Sequence, residues 1–309
     1  MTRVALLFPG QGSQAAGMAD GLLEGAGAEH LLEAAQAEGL DLRRALAGDS
    51  EALRPTEVAQ PALLFVETLL AAPLLGLPGL VATAGHSVGE YAALVAAGAL
   101  LPAQAMRLVT RRGQAMSGMR DGGMLALVGA DPELAGRVCA EAGASGTLVV
   151  ANLNAPGQVV LSGSREAISA AAGVARRLGV RRALPLNVSG AFHSPLMAAA
   201  GTAFAELLAS EPFGQASPPV VCNVDASAQR DGDALRERLA GQLVSPVRWA
   251  DSVRTMVDDL GAELLVEVGP GSVLSGLVRR IAPEVEVRAV ADPAAAVALV
   301  GELRVPVRG

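Results

Sequence analysis

Gly85-His86-Ser87-Val88-Gly89-Glu90-Tyr91 stands between the apolar run Leu80 to Ala84 and the Ala-rich run Ala92 to Ala99. An apolar β-type run, a Gly-x-Ser-x-Gly turn and a helical run compose the sequence form of a nucleophile elbow, a strained bend that lifts a serine hydroxyl clear of its backbone. Gly85 and Gly89 carry no β-carbon, so the incoming strand and the outgoing helix can approach closely while Ser87 points into the space above the sheet. The helix N-terminus aims free N–H groups and the positive end of its dipole at that space, where an oxyanion can form. The pentapeptide alone also arises by chance in a chain with 36 glycines. The switch from strand to helix around it is what favours an elbow.

Outward from the elbow, elements of the same kind recur. Val4 to Phe8 is a continuous apolar run ended by Pro9-Gly10, which suits a strand buried on both faces. The loop after it, Gly10-Gln11-Gly12-Ser13-Gln14, can turn its backbone N–H groups toward an anion or a developing oxyanion. Val220 to Val224 and Glu263 to Val268 read as further apolar strands, the second followed by Gly269-Pro270-Gly271 and a helix. Strand, Gly-rich turn and helix in repetition predict an α/β domain with a mostly parallel sheet, a hydrolase-like nucleophile elbow and its site at the carboxyl ends of the strands.

Helices are expected from Met18 to about Leu46, broken near Gly25 and Gly39, and from Glu57 to Ala72, with Pro61 near the first turn, where its missing N–H costs least. The second should pack under the elbow. Another should run from Pro102 to about Met119. On it Arg107 and Arg111 share a face, whereas Arg112 is turned from Arg111 by about 100°. One arginine can therefore face inward while its neighbour meets water.

From Gly123 the pattern changes. Met124 to Gly129 reads as a strand, Pro132 to Ala142 as a helix, and Thr147 to Asn152 and Gln158 to Ser162 as a strand pair around Asn154-Ala155-Pro156-Gly157. A helix over Arg165 to Leu178 and a strand over Arg181 to Val188 complete a β-α-β-β-α-β order, the ferredoxin-like arrangement. The expected organisation is a large α/β domain formed by residues 1–123 and 190–309, with a small ferredoxin-like α+β subdomain, residues 124–189, inserted in it. Arg176, Arg177, Arg181 and Arg182 cluster at a helix end, where cations suit the dipole; they read first as a solvated helix terminus and second as a docking patch for an acidic partner.

The chain has 309 residues, 51% of them hydrophobic, enough for a large core. All 24 basic residues are arginine and the net charge is −7, which argues against broad electrostatic binding to nucleic acid. Cys139 and Cys222 are far apart and lack metal-type spacing, so they read as reduced, buried thiols of a cytoplasmic protein. The apolar stretch before Pro9 is too short for a signal peptide, and no membrane-spanning segment is visible. Of three histidines, His30 lies in a helical run without chemistry and His86 sits beside the serine, where the elbow should aim its ring away. His193, in Gly190-Ala191-Phe192-His193-Ser194-Pro195, is left as the leading base for Ser87. Ser194 should cap a helix that Pro195 begins.

These residues together resemble the malonyl-CoA:acyl-carrier-protein transacylase family. Phe8 to Gln14, Gln60-Pro61, Gly85 to Glu90, Arg112-Gly113, Asn154 to Gln158, Phe192-His193-Ser194, Gln242 to Trp249 and Glu267 to Gly271 occur in that family's order, from residue 3 to about 280. Acyltransferase domains of polyketide synthases and the transacylase subunit of malonate decarboxylase carry the same motifs.

The resemblance implies that Ser87 attacks the thioester carbonyl and that His193 takes its proton. It also implies that the backbone carbonyl of Gln242, in place of an aspartate, accepts from the other ring nitrogen. Backbone N–H groups of Gln11 and Val88 would bind the oxyanion, Arg112 the malonyl carboxylate, and Phe192, His86 and Asn154 would border the substrate. A planar guanidinium suits a carboxylate bidentately. The implied substrates are malonyl-CoA and the phosphopantetheine thiol of an acidic, transiently bound acyl carrier protein. No bound cofactor or metal is implied, and no nucleic-acid or membrane partner.

Two rival readings come from other classes, and only the first uses Ser87 and His193. A serine acyl hydrolase or thioesterase would let water finish the reaction, and Arg112 argues against it by selecting a carboxylated acyl group. A catalytically silent docking protein is disfavoured because none of the expected catalytic positions is substituted.

Overall fold

Val4–Phe8 forms strand β1, and all five of its residues are buried. A computed structural model describes residues 1–304 of the chain; residues 305–309, the end of the expected large domain, lie outside the described residues. After β1 come α1 (Ala26–Ala37), α2 (Leu42–Leu46), α3 (Thr56–Ala71), β2 (Leu80–Gly85), α4 (Gly89–Ala96) and α5 (Pro102–Ser117). A second group follows: β3 (Gly123–Val128), α6 (Pro132–Ala142), β4 (Leu148–Ala155), β5 (Gln158–Gly163), α7 (Arg165–Arg177) and β6 (Arg182–Pro185). The last group is α8 (Ala198–Ala209), β7 (Val220–Val221), β8 (Ala228–Gln229), α9 (Gly232–Gly241), α10 (Trp249–Arg254), β9 (Leu264–Val268), α11 (Val273–Ile281), β10 (Glu286–Val290) and α12 (Pro293–Arg304).

One sheet has the order β10-β9-β1-β2-β7-β8 and is parallel except for the β7–β8 pair. Period-two alternation explains why β1 is apolar throughout. Val4, Leu6 and Phe8 join the core beneath α1, α3, α4 and α5, while Ala5 and Leu7 join the core with Trp249, Leu274 and Val278 of α10 and α11. Full burial of each large side chain here contributes about 1.5–3 kcal/mol.

The second sheet has the order β4-β5-β3-β6, with every neighbouring pair antiparallel. Leu125, Leu127, Val159 and Leu161 face α6 and α7 from one side. Met124, Ala126 and Val160 face the other way and join the large core. Met124 and Val160 of the small sheet also border a cavity at Ser87, just past the carboxyl end of β2.

Several expected boundaries shift for local reasons. The first helix starts at Ala26 and not near Met18, because Gly17 and Gly21 take left-handed φ values and turn the chain. The strand expected over Val220 to Val224 stops at Val221, where a bond from Cys222 N to the Ser227 carbonyl closes a turn. The strand expected over Arg181 to Val188 spans only Arg182–Pro185. Pro61 lies inside α3, which Pro55 precedes.

β4 runs on through Ala155, so Asn154 belongs to a strand and not to the hairpin loop. Val247, between α9 and α10, bonds to β4: Leu153 N donates to its carbonyl at 2.9 Å, and its own N–H donates to Ala151 O at 2.8 Å. Contrary to the reading that no spanning segment is visible, Thr56–Leu74 has the length and apolarity to cross a membrane; 67% of that stretch is buried inside the protein. It is the α3 segment, and α3 packs against α4 and α5.

Candidate active site

The elbow is built as its sequence implies. A β-carbon on Gly85 would lie 1.9 Å from the Gly89 carbonyl carbon, and one on Gly89 would lie 2.2 Å from Phe8 O. No side chain fits either place. Ser87 is held at φ 55°, a left-handed conformation that costs a non-glycine residue of order 1–3 kcal/mol. Neighbours hold the bend in place. Ser87 N donates to Asn223 Oδ1 at 2.7 Å, Asn223 Nδ2 donates to Gly85 O at 2.6 Å, and Gln242 Nε2 donates to Ser87 O at 3.1 Å.

His193, also left-handed at φ 56°, brings Nε2 to 2.8 Å from Ser87 Oγ. Its Nδ1 lies 3.0 Å from Gln242 O and 3.2 Å from Ser245 O. Both carbonyls only accept, so Nδ1 carries the ring proton and Nε2 presents its lone pair to the serine hydroxyl. Burial, reinforced by the Arg112 charge, lowers the His193 pKa to about 3, so the ring is a neutral base at physiological pH. Ser194 accepts from Leu196 N and begins the turn Pro195–Met197 ahead of α8, the cap its position implied.

α5 carries the arginines as its helical phase requires. Arg111 is exposed and paired with Glu38, and Arg107 lies 3.5 Å from Glu211, whereas Arg112 is buried at 1% exposure. Its Nη1 donates to Gln60 Oε1 at 2.7 Å, and its Nη2 donates to Gln242 Oε1 at 2.9 Å and Ser87 Oγ at 3.1 Å. The guanidinium carbon lies 5.7 Å from the centre of the Tyr91 ring. Burial lowers the Arg112 pKa, and nearby Tyr91 and Glu90 oppose that shift; an arginine nevertheless stays charged. Every acceptor it reaches is neutral.

A cavity of about 250 Å³ is lined by Gln11, His86, Ser87, Val88, Arg112, Phe192, His193 and Asn154. Neither the Gln11 nor the Val88 backbone N–H has a protein acceptor among the described residues. The Gln11 side chain is tied back to Thr56 Oγ1 at 3.1 Å. His86 turns from the serine, as expected, and its Nε2 donates to Asn154 Oδ1 at 2.9 Å while its ring tilts against Trp249 at 5.6 Å. The cysteines are free; Cys222 is buried, but Cys139 is only half-buried, less than its sequence reading implied.

Four residues of this centre were not given site roles from sequence: Gln60, Glu90, Asn223 and Ser245. Gln60 left a signal, a lone amide inside the apolar run of α3, as did Asn223, a polar residue just past a strand at the carboxyl edge of the sheet. Ser245 contributes only a backbone carbonyl, which no side-chain pattern encodes. Glu90 is buried, and its Oε2 accepts from Gln242 Nε2 at 2.8 Å and from Asn223 N at 3.0 Å. Burial raises its pKa to about 7 against the lowering effect of those donors and of Arg112.

The model of the acyl transferase domain family matches residues 5–308. Malonyl CoA-acyl carrier protein transacylase of Escherichia coli strain K12 is 40% identical over 313 aligned positions, covering 96% of this chain and 98% of the relative. That of Bacillus subtilis strain 168 is 39% identical over 302, covering 95% of each. A solved malonyl-transacylase in complex with a holo type II polyketide synthase acyl-carrier protein superposes with a TM-score of 0.91 at 36% identity, covering 97% of this chain and all of that one. With sequence and fold in agreement along nearly its whole length, this chain belongs to the acyl transferase domain family, among the malonyl CoA-acyl carrier protein transacylases.

Proposed function

We propose that this enzyme moves malonyl from malonyl-CoA to the phosphopantetheine thiol of an acyl carrier protein through a malonyl-Ser87 intermediate. The observation that carries the reading is one serine hydroxyl in contact with both a neutral imidazole at 2.8 Å and a buried guanidinium at 3.1 Å. The first contact activates a nucleophile, and the second selects a carboxylated acyl group.

Ser87 Oγ attacks the thioester carbonyl as its proton passes to His193 Nε2. The negative oxygen is held by the Gln11 and Val88 N–H groups, and the Gln242 and Ser245 carbonyls stabilise the imidazolium through Nδ1. Collapse breaks the C–S bond, and coenzyme A leaves with the proton from His193. The carrier thiol then gives its proton to His193 and attacks the acyl-serine, and the proton returns to Ser87 as the serine leaves. Arg112 holds the malonyl carboxylate throughout. Phe192, His86 and Asn154 border the acyl and pantetheine groups.

In the same reading residues 124–189 are a ferredoxin-like subdomain that roofs the cavity, and residues 1–123 and 190–309 form the catalytic domain. The product supplies fatty acid or polyketide synthesis. A cytoplasmic setting fits the free thiols of Cys139 and Cys222.

Intact mass after exposure to malonyl-CoA tests the reading: one malonyl mass is expected on Ser87, and none on Ser87→Ala. Equal labelling of the alanine variant would remove Ser87 as nucleophile. Steady release of free malonate, with no lasting adduct and no transfer to carrier protein, would make the protein a hydrolase.

A further inference from the structure

Glu90 touches neither the serine hydroxyl nor the guanidinium, yet it is the carboxylate closest to both in the hydrogen-bond network. It sits in the first turn of α4, three residues past the nucleophile, and is 2% exposed. Its Oε2 receives two donors, the Gln242 side-chain amide and the Asn223 backbone N–H. Asn223 in turn clamps both ends of the elbow through Ser87 N and Gly85 O.

The Gln242 amide has a donor end and an acceptor end, and either can point either way until a neighbour decides. With Nε2 committed to Glu90 and Ser87 O, Oε1 faces Arg112 Nη2 at 2.9 Å. A flipped amide would set its N–H₂ against the guanidinium, donor against donor. That would push Arg112 off the position from which its fork meets a carboxylate.

Resting on the malonyl-transfer reading, we propose that Glu90 is the positioning residue for malonyl recognition: its acceptor oxygen fixes the Gln242 amide, and the amide fixes Arg112. Both donors converge on a single oxygen, so the role needs an acceptor at that point and not a negative charge. Glu90→Gln can keep it, because an amide oxygen accepts equally from two N–H groups. Glu90→Leu cannot.

The experiment measures kcat/KM for acylation by malonyl-CoA and by acetyl-CoA in the full-length protein. Glu90→Leu is expected to lower the malonyl-to-acetyl ratio roughly tenfold or more, the scale of leaving a buried polar partner unpaired, whereas Glu90→Gln keeps it within about threefold. A structural role alone would lower both substrates together, and that outcome overturns the proposal. An equal loss of ratio in Glu90→Gln also overturns it, by showing that charge matters and not the acceptor. Should Glu90→Leu fail to fold, Gln242→Leu decides, because it keeps the backbone carbonyl that serves His193 and removes only the amide. A lowered ratio there supports the link, and an unchanged one ends it. Failure of the unmodified enzyme to take up malonyl would instead remove the transacylase reading itself, so the two failures are distinguishable.

Discussion

The two faces of α5 carry the same side chain in opposite circumstances. On the outer face Arg107 and Arg111 meet carboxylates, Glu211 and Glu38, in contact with water. On the inner face Arg112 meets two amide oxygens and a hydroxyl. The outer arginines are already neutralised by protein groups and screened by solvent, so they have little left to offer a ligand. The buried one has both terminal nitrogens bonded to neutral acceptors, its Nε without an acceptor and its charge not neutralised by contact, so a substrate carboxylate supplies what the protein withholds. Specificity for an anion follows from pairing a buried cation with neutral partners.

Exchanging the roles of the two arginines is the strongest way to break this comparison. Arg112→Ala should lower kcat/KM for malonyl-CoA by about 2–5 kcal/mol, roughly 30-fold to several-thousand-fold, as loss of one partner of a buried charged pair does. Acetyl transfer should stay equal or improve, since acetyl has no carboxylate and a buried cation has gone. If Arg111→Ala reverses the acyl preference and Arg112→Ala does not, the contrast between the faces is wrong.

A pH profile sharpens it. His193 is depressed from 6.5 to about 3, by burial first and by the Arg112 charge second. A lowered pKa keeps the imidazole neutral, and therefore basic, until the pH falls to that value. The free-enzyme acylation rate should therefore stay flat from about pH 8 to about pH 5, where an unperturbed histidine loses most of its base form. In Arg112→Ala the acid limb should move up, toward 6.5. A half-loss near pH 6.5 in the unmodified enzyme would contradict the buried, charge-opposed site.

A smaller effect is expected at Phe192, which borders the cavity beside the histidine and is 5% exposed. One extra methyl in a tight site costs about 1–3 kcal/mol, so malonyl-CoA should be preferred over methylmalonyl-CoA. Phe192→Ser should narrow that gap, and equal kcat/KM for both in the unmodified enzyme would dismiss the ring as a selector. The smallest effect belongs to the outer face of α5. Arg111→Ala should change unfolding stability by about 1 kcal/mol or less, read from denaturant midpoints, with acyl selectivity intact.

How far the site was legible follows from what kind of signal each residue leaves. Ser87 announces itself because the bend demands Gly85 and Gly89, whose absent β-carbons would otherwise collide with backbone. Arg112 could be separated from Arg111 by helical phase, but phase alone leaves open which arginine faces inward. The family motif chose Arg112, and the burial pattern of α5 agrees. β4 was underestimated because Leu153 and Ala155 keep pairing with Val159 and Gln158 of β5 through an irregular register, across residues whose Asn-Ala-Pro-Gly composition reads as a loop. The strand at Val220 was overestimated because Val224 continues an apolar pattern that the backbone abandons at Cys222.

The sequence by itself determined the elbow, the parallel α/β arrangement, the β-α-β-β-α-β order from β3 to β6 and the Ser87–His193 pairing, all of which rest on local periodicity, glycine requirements and motifs. Only the tertiary structure decided how the charge at Arg112 is held. Gln60, Glu90, Asn223 and Gln242 come from three helical segments and a strand end, and their amides and carboxylate are ordered by one another's donors and acceptors. A hydrogen-bond network of this kind has no period and no spacing, because it is a property of side chains brought together by distant packing.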